Sequence, residues 1–405
     1  MFWYLSFVRP PPSLYSTSDR TITTSVQIAN DLRTESREYS STKLTNWRPS
    51  VEYKALDIPL PPLRPGARAA EPLRVALWAI LESMVGSQMN DASSLFRIDL
   101  ASRTFGSLPF PVLSMPIVFT APNRTPKAKV TKQEQIERIL LLPDISGNSG
   151  APHEHRKSLV IREQTSFDLD KKLWDSGIGL SSWISDQLFL GSTQSSNVTI
   201  TQAFRSRMMS PEALEVVELG TGTGLVSLAL ATLFESHPDK PPRNILATDL
   251  PSALTLIDHN IKTNDHLFPS IQIESGILDW EDESAVSAER FPSGIDLIVM
   301  ADVTYNVDVF PALLRTLRAL LALAVSQNPL GGMSRAPPFV LLAYKERDPA
   351  ERSLFDHARQ LGVLFEQVAS IPGAGGAPIE IYLALYFNSD DQIPKQSVWG
   401  MEGVI

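Results

Sequence analysis

The chain has 405 residues and a mass of 44.7 kDa, which at roughly 100–200 residues per domain allows two or three units. Its 36 basic and 45 acidic side chains leave a formal charge of −9, which argues against a general nucleic-acid binder, since that class relies on basic surface. Cysteine is absent, so disulfides, thiolate metal sites, iron–sulfur clusters and thiol catalysis are excluded together. That composition fits a reducing compartment, and the expected location is the cytoplasm, with the nucleus also open.

The chain opens on MFWYLSFV, a short apolar run without a basic flank that meets Arg9 and three prolines, so it does not read as an export signal. Residues 10–50 are rich in Ser, Thr, Arg and Pro, which predicts a disordered or loosely packed segment over 1–50. Prolines then favour extended chain up to Pro72, and apolar spacing predicts helices over Leu73–Gln88 and Lys127–Leu142, with strand-like pieces between. Residues 51–157 are therefore expected to form an irregular, Pro-rich α+β accessory region.

From Ser158 the texture changes. LVIREQT reads as a strand and KKLWDSGIGLSSWISDQLF as a helix; αβ alternation then starts at LEVVELG and continues to IEIYLALYF. Short apolar strands alternating with helices predict a doubly wound, mostly parallel sheet over residues 158–390, leaving 391–405 as a tail. The apolar stretch Ala312–Val325 contains Arg315 and Arg318 and is too short to span a bilayer, so no membrane segment is expected. His153 and His155 lie in a polar loop with no third ligand in view, and no metal is expected.

Ligands of such sheets bind beyond the carboxyl ends of the strands. The first end carries Glu218, Gly220, Gly222 and Gly224, a GxGxG spacing one residue tighter than a dinucleotide fingerprint. Glycines let the backbone approach a ligand, and an acid two residues earlier would repel a pyrophosphate but accept from an ammonium. The second end is Asp249, able to accept from two ribose hydroxyls, or simply an acid at a helix start. The third is Asp279-Trp280, an acid beside a ring, suited to an amino group and a face of adenine, or else a solvated acid and a core ring.

In this order the motifs resemble those of class I S-adenosylmethionine (SAM) dependent methyltransferases, and more narrowly the lysine methyltransferase-like group called methyltransferase family 16. The resemblance covers LWDSGIGLSSWI, VVELGTGTGLVSLALA, ATDLPSALTLIDHNIKTN with Asn260 and Asn264, LDW and ADVTY. It implies a seven-stranded Rossmann-like sheet and SAM as cofactor. It further implies that Glu218 and the three glycines surround the methionine moiety, that Asp249 meets the ribose, and that Asp279 with Trp280 meets the adenine. Trp174 would close the site and Ala301 would lie against the cofactor. Residues 1–150 have no counterpart in that resemblance.

Methyl transfer from a sulfonium needs an aligned, neutral acceptor, and a lysine with a reference pKa near 10.4 must first lose a proton at a cost of about 4–5 kcal/mol at pH 7. Asp302 is the candidate to receive the incoming ammonium, and Tyr305 to line its channel. Lys345, Glu346 and Arg347 follow the next strand, as pocket rim or as a solvated cluster. The expected activity is methylation of an accessible lysine on a protein partner by a monomer. A small-molecule N-methyltransferase and a SAM-binding interaction protein without turnover are the alternatives.

Overall fold

The computed structural model describes residues 2–16, 21–31, 54–59, 74–77, 97–102, 106, 109–120, 132–143, 156–166, 169–190, 197–236, 239, 241–292, 294–326, 337–372 and 377–386. They fall into two compact units. One comprises residues 1–142 and 149–172, and the other is built essentially from 173–372 with the strand at 379–386.

The N-terminal unit is β-rich. Strands Tyr4–Arg9, Thr21–Ala29 and Lys54–Pro59 form an antiparallel sheet, and Leu14–Ser16 pairs in parallel with Val118–Thr120. A second sheet joins Ala76–Leu77, Arg97–Asp99, Val112–Ser114, Gln135–Leu141 and Ser158–Gln164. Its centre is Arg138, which pairs with Glu163 at 2.7 Å, donates to the carbonyls of Leu5, Phe110 and Pro111, and lies over the Tyr4 ring. A buried guanidinium is tolerable here because its donors meet a carboxylate and carbonyls.

Three sequence expectations change in this unit. Phe2, Tyr4, Leu5 and Phe7 are buried, so the described part of residues 1–50 is not loosely packed. Composition over the whole segment hid the local alternation of TITTSVQIA, whose burial alternates with it. Where a helix was predicted over 127–142, Gln135–Leu141 is instead a strand, paired along its whole length by the strand at 158–164, and 127–131 lie outside the described residues. Ala76 and Leu77 are also strand where a helix was predicted; the remainder of Leu73–Gln88 after Leu77 lies outside the described residues, as do His153, His155 and the 391–405 tail. The strand at 158–164 pairs within this unit, which extends to residue 172.

The second unit is a seven-stranded sheet: β1 (Leu214–Leu219), β2 (Arg243–Asp249), β3 (Gln272–Ile277), β4 (Leu297–Ala301), β5 (Phe339–Lys345), β6 (Val363–Ile371) and β7 (Ile379–Tyr386). The order is 3-2-1-4-5-7-6, parallel except for β7, which runs antiparallel between β5 and β6. Central strands are buried on both faces, hence the uninterrupted FVLLAYK of β5. Val217, Leu219, Ile298, Met300, Val340 and Leu342 face a core shared with Phe310, Leu313, Leu317 and Leu354. Those last residues come from helices α5 (Phe310–Ser326) and α6 (Ser353–Gln360).

The opposite face is covered by α1 (Asp175–Ser185) and α3 (Leu225–Phe234). All ten residues of α3 are buried, as an all-round apolar helix requires. The small residues of α1 serve close approach: a Cβ on Gly179 would stand 2.8 Å from Ile379 Cδ1 on β7. Helix α2 (Val198–Met208), capped by Asn197, and strand β6 were not assigned from sequence. Helix α4 (Pro251–Asn264) starts on a proline directly after β2. The seven-stranded α/β expectation holds.

Candidate active site

The sheet order reverses between β1 and β4, and the loops leaving their carboxyl ends flank that switch point. After β1, Gly220, Gly222 and Gly224 have φ of 63°, 58° and 81°, left-handed values that carry the chain sharply into α3. Gly220 also has no room for a side chain. A Cβ there would lie 2.7 Å from Val303 Cγ1 in the loop after β4 and 3.4 Å from the Trp280 ring in the loop after β3. Three strand ends thus converge on one glycine.

Glu218 is buried at the end of β1. Its Oε2 accepts from Thr221 Oγ1 at 2.7 Å, from the Ser227 backbone N–H at 3.0 Å, and from the Ser227 hydroxyl. Burial pushes its carboxyl up to about 7, and the like charge of Asp249 adds to this against the Ser227 and Thr221 hydrogen bonds. Asp249, 9% exposed, ends β2 and accepts from Gly222 N and Leu250 N, both at 2.7 Å. One carboxylate thereby fastens the glycine loop to β2. Asn260 supports the loop from α4 by donating to the Thr223 carbonyl at 2.9 Å, and Asn264 donates back to Asn260 O at 2.7 Å.

The remaining sequence-predicted residues divide. Asp279 is exposed and accepts from the Glu281 N–H at 3.0 Å, whereas Trp280 is half-buried against the core and the glycine loop. Ala301 ends β4, paired with Ala343 on β5. Tyr305 is 52% exposed beyond it.

Asp302 departs from expectation. It is the one non-glycine among the described residues with positive φ, 62°, and its carboxylate is already held. Both oxygens accept from Arg347, one from Nη1 and one from Nη2 at 2.9 Å. The carboxylate expected to receive an incoming ammonium is thus also the partner of a planar guanidinium, which meets both of its oxygens as a matched fork. Arg347 is no solvated rim residue either. Its guanidinium carbon lies 5.6 Å from the Trp174 ring centre, and its backbone N–H donates to Glu351 at 3.1 Å. Lys345 is likewise internal, paired with Asp175 at 2.7 Å. Glu346 alone of the three points elsewhere, to Arg352.

Sequence reasoning missed Asp175, Thr221, Ser227 and the Arg347–Asp302 pairing. The only cue was proximity to recognised motifs, since a charge in a sequence does not say which other charge it meets.

A sequence profile of the lysine methyltransferase family matches residues 153–360, about half of the chain and all of the strand ends described above. The chain belongs to the lysine methyltransferase family. Among lysine methyltransferases of known name, it is 27% identical over 201 residues to protein-lysine N-methyltransferase EFM6 of Saccharomyces cerevisiae, covering 46% of this chain and 71% of that protein. It is 32% identical over 117 residues to EEF1A lysine methyltransferase 3 of Xenopus tropicalis, covering 29% of this chain but 46%, about half, of that relative. Among solved structures, the SAM-bound O-methyltransferase TomG of Streptomyces achromogenes aligns over 54% of this chain and 92% of its own, at 13% identity and a TM-score of 0.31.

Proposed function

We propose that this member of the lysine methyltransferase family binds SAM at the ends of β1–β4 and transfers its methyl group to a lysine of a protein substrate. The observation that carries the reading is the pair of buried carboxylates, Glu218 and Asp249, on adjacent parallel strands beside a loop whose three glycines take left-handed φ. Burial of Glu218 beside a like charge favours a ligand that brings positive charge, and SAM carries both an ammonium and a sulfonium. Asp249, one of whose oxygens accepts from the Gly222 N–H, stands at the strand end where a ribose diol is bound in doubly wound folds. Trp280 and Asp279 supply a ring and an exposed carboxylate for the adenine.

Held by Glu218, Asp249 and Trp280, SAM would supply the methyl group and a sulfide leaving group to the neutral acceptor nitrogen. The chain's own task is alignment and exclusion of water, because an in-line displacement gains most from a fixed geometry. Tyr305 stands exposed beside the Asp302 turn, open to an incoming chain. Among the described residues no helix is long and apolar enough to cross a membrane.

The test is incubation of the purified protein with methyl-labelled SAM and cell lysate, followed by hydrolysis and amino-acid analysis. Label in methylated lysine supports the proposal. Label only in small molecules would replace it with small-molecule N-methylation. SAM binding by calorimetry with no label anywhere would replace it with a binding protein.

A further inference from the structure

The acceptor of a lysine methyltransferase must be neutral to attack, yet a carboxylate beside it favours the charged ammonium. Asp302 is such a carboxylate, at the strand end whose next residue, Val303, touches the glycine loop. In the structure this charge is cancelled where it stands: Arg347 holds both carboxylate oxygens, with the Arg347 side chain 13% and the Asp302 side chain 4% exposed. We propose that Arg347 is a positioning residue that neutralises Asp302, so that the strained Asp302 turn orients the acceptor without stabilising its protonated form. This rests on the function proposed above.

Among the described residues, Trp174, Glu351 and the Lys345–Asp175 pair stand near the Asp302–Arg347 pair. Trp174, at the start of α1, places its ring under the Arg347 guanidinium. Glu351, in the turn before α6, accepts from the Arg347 N–H, and burial first of all raises its pKa. Lys345 and Asp175 neutralise one another on β5 and α1. Arg347 is therefore the cation matched to Asp302, and its position on the loop after β5 fixes the turn after β4 from the neighbouring parallel strand. Asp302 N also donates to Ala343 O at 3.3 Å, so the turn is tied to β5 by backbone as well.

The test is the pH dependence, between pH 6.5 and 9.5, of label transferred from saturating methyl-labelled SAM to the lysate protein that the wild type methylates. With an opposite charge nearby worth roughly one pKa unit or more, Arg347→Gln should move the acid limb up by about one unit. That is about a tenfold loss below the limb and little loss above it. Asp302→Asn should move the limb down, and the double variant should return it to the wild-type position. Arg347→Lys, which keeps the charge and loses the fork, should leave the limb in place while lowering the plateau. Glu351→Gln should not move it. SAM affinity by calorimetry should stay within about threefold in all of them.

A loss equal at every pH in Arg347→Gln, or a limb that follows Glu351→Gln, would overturn the assignment. If Arg347→Gln does not fold, Asp302→Asn decides, and an unmoved limb in that variant would sink the idea. A wild type that binds SAM but labels no protein would overturn the function and this inference together. A wild type that labels protein with the limb unmoved in both single variants would overturn the inference alone.

Discussion

Lys345 Nζ lies 2.7 Å from Asp175 Oδ2, with 3% and 0% of the two side chains exposed. The pair joins the last residue of β5 to the first residue of α1, next to Trp174, and so holds the start of that helix at the site. Removing one partner takes from a buried charge its counter-charge at 2.7 Å. Lys345→Met should lower unfolding free energy by about 3–5 kcal/mol in denaturant titrations, and Lys345→Met with Asp175→Leu should recover much of that loss. A single variant as stable as the wild type would show that the pair contributes nothing.

Glu218 predicts a pH dependence of stability in the cofactor-free protein. Its folded pKa, about 7, is raised above its ordinary 4.5. The folded state thus binds the proton more tightly, and this stabilisation is full below pH 4.5 and lost as pH rises through 7. The loss is on the order of 3 kcal/mol. Urea unfolding of wild type and Glu218→Gln, compared at pH 5 and pH 8, should show the wild type falling more steeply. Parallel curves would rule out a raised Glu218 pKa.

Gly220 combines φ of 63° with a missing Cβ that would meet Val303 Cγ1 at 2.7 Å. Alanine there adds left-handed strain and a clash within the site. Gly220→Ala should destabilise by about 2–4 kcal/mol and weaken SAM binding at least tenfold by calorimetry. Unchanged affinity would mean that the loop does not approach the ligand.

The N-terminal strand is a stability element. Deleting residues 1–16 would strip from Arg138 its Leu5 carbonyl and the Tyr4 ring, and from Phe110 its edge contacts with Phe2 and Tyr4. The truncated protein should melt several degrees lower in calorimetry, about 4 °C or more, as befits a loss of over 1 kcal/mol. An unchanged transition would restore the view of this segment as loosely attached.

Trp280 and Tyr305 should separate binding from transfer. Trp280→Ala removes a half-buried ring packed on the core and the glycine loop, and should lower both SAM affinity and stability, the latter by about 2–3 kcal/mol. Tyr305→Phe removes one hydroxyl from a residue 52% exposed, and should leave stability within about 0.5 kcal/mol while turnover falls about two- to tenfold. Reversal of the two phenotypes would exchange their roles.

The sheet from β1 to β5, the glycine turn and Asp249 at its strand end were all readable from the chain, because each is local. Buried parallel strands are short apolar runs, and a left-handed turn announces itself in glycine. Segments whose state depends on a neighbour were not readable. Gln135–Leu141 has enough apolar residues for a helix and became a strand only because Ser158–Gln164 pairs with all of it. β6, half exposed at the sheet edge, carries too broken a pattern to stand out before β7 aligns it. The charges divided the same way. Asp302 and Arg347 are 45 residues apart, Asp175 and Lys345 170 apart, and nothing local selects those partners. Placing β4 beside β5 and α1 across them did, since a buried charge can persist only where the fold brings its counter-charge within hydrogen-bonding distance.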